Sequence, residues 1–210
     1  MQSKKKRLDA RNKNTDILEK RGYRVCEHLP LIDKADMRDV SEVRGRMAVM
    51  SVLLYAAHKC MTPAEAIEWL ERNRLYGLLS PNEVAALESV DEDDLIPFTW
   101  YAEGLCALAW LCNGDVDVDP DVPADEDLMN GLPDPRSDAD ASRMGFEGLR
   151  SEAEAYEMLD LLYNAHWFFV DERVAGRADM EKEGAVYERR RALEWAFDAE
   201  TEWDDVPMDT

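Results

Sequence analysis

The fold is decided by residues 151–210, which have the sequence SEAEAYEMLDLLYNAHWFFVDERVAGRADMEKEGAVYERRRALEWAFDAETEWDDVPMDT. Ser151 and Glu154 match the S-x-x-E capping box, in which each side chain satisfies a backbone N–H group of the first helical turn. Apolar residues then recur at helical spacing and predict one buried face: Ala155, Met158, Leu159, Leu162, Phe169 and Val170. Gly176 predicts the end of this helix, because glycine adopts the left-handed cap without strain.

A second helix is predicted from about residue 185 to residue 200. Its apolar stripe contains Val186 and Leu193, and Arg189 and Arg190 lie between them. A guanidinium group in such a stripe is tolerated only if it is paired or reaches water along its own methylene stem. We therefore expect the acidic C-terminal tail to fold back onto these arginines. The alternative is a frayed tail in which only Trp203 packs against the surface.

Length and charge bound the class of protein. A chain of 210 residues is long enough for one domain that buries a core without disulfides. The formal net charge is −21, although residues 1–24 contain nine Lys/Arg and three Asp/Glu, so the remainder carries about −27. Such a surface repels nucleic acid phosphates and attracts a basic protein, and salt weakens that attraction. The alternative is that the charge confers only solubility.

The cysteines and the apolar runs indicate the compartment. Cys26, Cys60, Cys106 and Cys112 form no C-x-x-C pair, and no signal peptide precedes them, which is typical of reduced cysteines in a cytoplasmic protein. No apolar run approaches the roughly 20 residues that cross a bilayer. We therefore expect a cytoplasmic protein that has no membrane partner.

Further helix signals predict the fold class. Capping boxes begin at Asp39, Thr62 and Ser80, and the last two are followed by proline at the first helical position. The helical patterns predict an all-α fold, a single compact multi-helix domain over residues 15–210. Residues 1–14 are predicted to be a mobile basic arm.

Two segments depart from the helical pattern. Residues 23–28 alternate like an extended segment, and they form either a minor strand or a clasp across the helices. Residues 115–141 are rich in Asp, Pro and Gly and predict an acidic loop.

The acidic loop contains a partial calcium motif. The carboxylates at positions 1, 3, 5, 7 and 12 of an EF-hand loop would be Asp115, Asp117, Asp119, Asp121 and Glu126. Position 6 requires the sharp turn of glycine, but it is Pro120, so a solvated acidic loop is favoured over a calcium site. A zinc site from Cys26, His28, His58 and Cys60 is disfavoured, because His58 and Cys60 point to opposite sides of a helix. No cofactor is predicted.

Polar residues on predicted buried faces form the candidate site. They are Arg46, Glu103, His166, Asp171, Arg173, Glu188 and Arg189. A histidine beside carboxylates and an arginine could serve as a general acid or base, as in hydrolytic sites. The alternative is structural: Glu103 pairs with an arginine such as Arg46, and His166 is a hydrogen-bonded core residue. No nucleophile elbow, P-loop, H-E-x-x-H or Rossmann glycine set is present.

The same residues carry a family resemblance. The phrases are 27–30 (EHLP), 42–46 (EVRGR), 100–103 (WYAE), 166–167 (HW) with Asp171 and Arg173, 186–189 (VYER) with Ala192, Leu193 and Trp195, and 203–205 (WDD) with Asp209 and Thr210. With these phrases the chain resembles an uncharacterised, mainly bacterial family catalogued as domain of unknown function 4272. The resemblance covers nearly the whole chain, and it implies one intact domain without assigning a role to any residue. The acidic loop after Gly114 is its main departure.

Three functional hypotheses remain open. The first is a cytoplasmic binding protein that engages a basic protein partner through its acidic surface, as immunity or inhibitor proteins do. The second is a hydrolase or transferase that uses the polar cluster, which requires an open cleft there. The third is a purely structural polar core. The sequence does not specify the oligomeric state.

Overall fold

Seven α-helices make up the regular structure of the computed structural model, which describes residues 3–33, 35–124, 135–136 and 148–209. They are α1 (Lys4–Lys20), α2 (Val40–Ala57), α3 (Pro63–Arg72), α4 (Pro81–Glu88), α5 (Tyr101–Leu111), α6 (Glu152–Val174) and α7 (Met180–Phe197). Short 3-10 helices form at Tyr76–Leu78, Glu92–Trp100 and Trp203–Asp205. The all-α prediction is confirmed, and the described ranges contain no strand.

The helix starts follow the local sequence. Asp39, Thr62, Ser80 and Ser151 each form the predicted capping box with the glutamate three residues later. The structure begins α7 at Met180, five residues earlier than predicted, because the side chain of Asp179 caps the first turn. Side-chain caps therefore set most helix boundaries in this chain.

The N-terminal segment differs from one expectation and decides between two alternatives. The first helix begins at Lys4 with Ser3 as its cap, so residues 4–14 belong to α1 and do not form a separate arm. Ala10, Asn14 and Leu18 recur every four residues and are buried, and α1 packs against α6. The lysines around this stripe masked it, because they make the segment polar on average. Residues 23–28 cross the helices without forming a strand, and Tyr23 packs against Phe168 and Phe169.

The core lies between the longer helices. The longer helices pack in a continuous series: α1 packs against α6, α6 against α7, α7 against α5, and α5 against α2. Gly104 leaves room for the side chain of Met50 on α2, since a Cβ atom at Gly104 would lie only 2.6 Å from Met50 Cε, whereas Ala192 on α7 would be at an ordinary contact distance of 3.6 Å. The α5–α7 crossing places the arginines of α7 beside the polar residues of α5.

The C-terminal segment returns to the helices. Trp203 is buried against Tyr101 and Trp195, and the carbonyl oxygen of Asp209 accepts from Arg190. The tail therefore docks as expected for Arg190, whereas Arg189 binds a different part of the chain. In the ranges that the structure describes, every helix is too short or too polar to cross a bilayer.

Candidate functional site

Three consecutive arginines on α7 make polar contacts with three different parts of the fold. Successive residues of an α-helix point about 100° apart, so Arg189, Arg190 and Arg191 face three directions. Arg189 reaches α5, Arg190 reaches α6, and Arg191 reaches the C-terminal segment. The polar residues predicted to form one cluster are consequently divided among separate networks.

The first network joins α7 to α5 and to the loop that follows α5. Arg189 Nε donates to Glu103 Oε2 at 2.7 Å. Its two terminal nitrogens donate to the carbonyl oxygens of Asp119 at 2.6 Å and Val122 at 2.8 Å, and Glu103 Oε1 accepts from the backbone N–H of Ala124 at 3.1 Å. Arg189 is completely buried, with 0% of its side chain exposed. This network fastens the start of the acidic loop to the core and leaves no guanidinium nitrogen for a ligand.

The second network surrounds His166. Arg190 Nη1 lies 2.8 Å from His166 Nδ1, and because arginine remains protonated, it donates and the neutral histidine accepts. Burial and the positive charges of Arg190 and Arg173 lower the pKa of His166 to about 4. Arg190 also donates to Glu194 at 3.2 Å. His166 is therefore neutral at physiological pH, and the lone pair of its Nδ1 is already occupied.

The third network lies below the C-terminal segment. Arg46 pairs with Glu83, and it also donates to the carbonyl oxygen of Leu78 at 3.3 Å. The Tyr101 hydroxyl donates to Glu83 Oε1 at 2.6 Å and accepts from Trp203 Nε1 at 2.9 Å. Burial and the charge of Glu83 raise the pKa of Tyr101 well above its usual value. Glu103 does pair with an arginine, but its partner is Arg189 and not Arg46, which was given as an example and belongs to a different network.

The remaining predicted residues lie outside these networks or at their edges. Asp171 pairs with Arg24 at 2.5 Å, and Arg173 pairs with Glu183 at 2.8 Å; both arginines are about half exposed. Glu188 lies 3.7 Å from Arg191, and burial raises the pKa of its carboxyl group. The structure therefore does not bring these residues together with His166 in one catalytic cluster.

A cleft of about 680 Å³ opens beside the third network, between the start of α2, the Tyr76–Leu78 turn and the C-terminal turn Trp203–Asp205. Four carboxylates line it, from Glu42, Glu202, Asp204 and Asp205. The two guanidinium groups in its lining, those of Arg38 and Arg46, lie over the rings of Trp195 at 4.3 Å and Trp203 at 4.4 Å. The cleft therefore combines a rigid aromatic base with an acidic border.

Sequence reasoning missed several charged residues of the interior. Glu83 is fully buried, and it serves both the capping box, through Ser80 N–H at 2.8 Å, and the pair with Arg46. A capping glutamate is ordinarily exposed, so nothing in its pattern distinguished it. Asp160, bound to Arg11 at 2.8 Å, is also fully buried. Its spacing of one turn from Tyr156 and Asn164 was the available signal.

The structure offers little support for a metal centre. Within the part of the chain that it describes, no group of three His, Cys, Asp or Glu residues could hold an ion. Asp119 binds Arg21 at 2.7 Å, and Asp121 binds Lys182 at 2.9 Å, so internal cations occupy two carboxylates of the calcium motif. Glu126 lies outside the described residues.

Comparison with known proteins gives a family. No curated protein and no solved structure matches the chain. The model of the family described as Domain of unknown function (DUF4272) matches residues 10–206, a range that contains α2 to α7 in full. The match confirms the resemblance that the sequence phrases indicate, and the chain therefore belongs to the DUF4272 family.

Proposed function

We propose that this protein is a binding protein that engages a basic protein partner through its acidic surface, as immunity and inhibitor proteins do. The proposal rests on one observation: many arginines of the chain bind acceptors inside the fold. The arginines that donate to backbone carbonyls or buried carboxylates inside the fold are Arg7, Arg11, Arg38, Arg46, Arg150, Arg189, Arg190 and Arg191. These guanidinium groups are committed to the fold, so they contribute little to a binding surface.

Surface ion pairs also neutralise three of the basic residues near the N-terminus. Lys13 pairs with Glu157, Arg21 with Asp119 and Arg24 with Glu172. With 46 Asp and Glu against 25 Lys and Arg, the sequence contains 21 more carboxylates than basic side chains. An excess of exposed negative charge accelerates encounter with a positively charged protein and suppresses binding to other acidic proteins.

The alternative, a hydrolase or transferase, gains no comparable support. Such an enzyme needs its acid, base and stabilising groups at an open cleft. Arg189 and His166 are buried; all three guanidinium nitrogens of Arg189 donate to neighbours in the fold, and Nδ1 of His166 accepts from Arg190. This arrangement favours a stabilising role for these groups over a chemical one.

We also propose that the protein is cytoplasmic and that it does not bind nucleic acid. The four cysteines are free thiols, and Cys60 is exposed, which favours the reducing cytoplasm. Nucleic acid is an unfavourable partner, because its phosphates would approach a surface of the same sign.

The test is capture of the partner under controlled ionic strength. The intact protein is immobilised, incubated at low salt with a lysate of the cells that produce it, and eluted with a salt gradient. We expect a basic protein to bind and, once purified, to bind again in calorimetry with an affinity that falls steeply as salt rises. At about 0.5 M salt the screening length is shorter than about 5 Å, so exposed charge contacts weaken. Recovery of no basic protein, or an affinity independent of salt, would contradict the proposal.

A further inference from the structure

Building on the proposed function, we infer that the basic partner docks by placing a lysine- or arginine-bearing segment in the cleft between the start of α2, the Tyr76–Leu78 turn and the C-terminal turn Trp203–Asp205. The cleft, at about 680 Å³, is large enough for several side chains. Its walls come from three separate parts of the chain, which the buried third network holds together.

Two carboxylates at this cleft are free to bind a cation. Glu202 and Asp205 line the cleft, are exposed, and their side chains have no hydrogen-bond or ion-pair partner among the described residues. Glu202 is the N-cap of the 3-10 turn Trp203–Asp205 and Asp205 is its last residue, so the two carboxylates belong to the same turn. Glu42 also lines the cleft and is 45% exposed, but it is paired with Arg38 at 3.1 Å, so it is not counted with these two. The border thus presents negative charge that the protein itself leaves uncompensated.

The positive charges in the lining do not counteract this border. Arg38 donates to the carbonyl oxygens of Trp195 and Thr201 and to Glu42. Arg46 is buried and paired with Glu83. Because Glu42 offsets the charge of Arg38 and Glu83 offsets that of Arg46, the charge that remains at the cleft comes mainly from Glu202 and Asp205 and repels an anionic ligand. The charge of the cleft therefore selects a cation.

An apolar wall adds a second element of recognition. Leu78 lines the cleft with 48% of its surface exposed, and Pro81 follows at the first position of α4. Lysine and arginine carry methylene stems that pack on such a surface while their charged ends reach a carboxylate. A basic segment with apolar residues between its cations fits both features. A second copy of this cleft does not, because acidic borders would face each other.

The experiment uses the full-length protein and a defined probe, a short, capped, dye-labelled peptide of alternating lysine and leucine. Its dissociation constant is measured by fluorescence anisotropy for the wild type and for the double variant Glu202→Gln/Asp205→Asn. The matched control is Asp16→Asn/Glu19→Gln, which removes the same charge at the same spacing from exposed, unpartnered positions on α1. The same measurements are repeated with the captured basic partner.

We expect the cleft variant to weaken both probe and partner by about three- to thirtyfold, and the α1 control by less than about twofold. The indole N–H signals of Trp195 and Trp203 should shift in NMR spectra when the probe binds, and a glutamate–leucine peptide should leave them unchanged. Equal affinities for the two double variants, or shifts confined to other tryptophans, would overturn the cleft assignment. If a basic partner still bound both variants equally, the proposed function would stand and only the docking site would be wrong. Absence of any basic partner would instead overturn the proposed function itself.

Discussion

Arg189 and Glu103 form a buried ion pair that joins α7 to α5, with Arg189 Nε donating to Glu103 Oε2 at 2.7 Å. The carbonyl oxygens of Asp119 and Val122 accept from the other nitrogens of Arg189, so the positive charge is surrounded by acceptors. A buried pair of this kind offsets much of its Coulomb attraction by the loss of hydration, and its main effect appears when one partner is removed. The pair therefore fixes the position of residues 119–124 more than it adds to total stability.

Replacing Arg189 alone should be strongly destabilising. In Arg189→Met, the carboxylate of Glu103 remains buried without its cation, and two loop carbonyls lose their donor. We expect the free energy of unfolding to fall by about 3–5 kcal/mol. Urea denaturation at about pH 7, followed by circular dichroism, measures this change.

Two further variants control this prediction. The double variant Arg189→Met/Glu103→Leu removes both charges, and it should recover much of the lost stability. Arg173→Met breaks the pair with Glu183 at the surface, where the arginine is 47% exposed, and should cost less than about 1 kcal/mol. If Arg173→Met lowered the free energy of unfolding as much as Arg189→Met, this would contradict the conclusion that the Arg189–Glu103 pair is buried and the Arg173–Glu183 pair is exposed.

The Tyr101 hydroxyl should stabilise the C-terminal docking. In Tyr101→Phe, Glu83 loses a donor and Trp203 Nε1 loses its acceptor, both in the interior. Leaving buried polar groups unsatisfied costs about 1–3 kcal/mol, and we expect a loss of that size in urea denaturation together with a changed near-ultraviolet spectrum. Tyr76→Phe is the control, because that hydroxyl makes only a long, exposed contact of 3.3 Å with Glu88. Equal losses for the two variants would argue against the buried network.

The fold was accessible from the sequence because its signals are local. A capping box requires only two residues three positions apart, so Asp39, Thr62, Ser80 and Ser151 could be identified directly. The start of α1 was missed because its buried stripe is narrow and contains Asn14, which the lysines nearby obscure. The residues of α1 that are buried depend on its packing against α6, a helix that is distant in the sequence.

The candidate site was less accessible because pairing depends on how helices cross. The sequence showed that an arginine of α7 must be buried, and Arg189 is. It could not show that Arg189 meets Glu103 whereas Arg46 meets Glu83, since both pairs join elements that are distant in sequence. Neighbouring residues of an α-helix point about 100° apart, so Arg189 and Arg190 contact different helices. Residue type and helical face were therefore predictable, and the partners were not.

The acidic loop should not respond to calcium. Arg21 and Lys182 already neutralise Asp119 and Asp121, and a cation would have to displace both. We expect titration calorimetry to show no saturable heat with a midpoint below about a millimolar, the range of weak extracellular sites. The variant Arg21→Gln/Lys182→Gln frees the two carboxylates and serves as the comparison. A micromolar midpoint in the wild type would show that the loop binds calcium.

His166 should make stability depend on pH in the mildly acidic range. Its pKa in the folded protein is about 4, below the ordinary value of 6.5, because it is buried beside Arg190 and Arg173. Between these two values the unfolded chain binds a proton that the folded chain does not, so unfolding becomes easier as the pH falls. The contribution of His166 to the free energy of unfolding is fully present above about pH 6.5 and is lost progressively as the pH falls to about 4. The expected loss is about 3 kcal/mol in total, or about 1.4 kcal/mol per pH unit.

Comparison with His166→Gln isolates this effect. Glutamine keeps an oxygen that can accept from Arg190 but does not titrate, whereas the neighbouring groups Glu194, Asp209, Tyr163 and Arg173 are common to both proteins. The raised pKa of Glu194, which arises from burial, contributes the opposite trend above about pH 4.5, and because it is common to both proteins it cancels in the difference. We therefore expect the free energy of unfolding of the wild type, minus that of the variant, to rise with pH from about 4.5 to about 6.5 and then to level off. Urea denaturation at several pH values gives this difference, and a flat profile would mean that His166 is protonated or exposed in the folded protein.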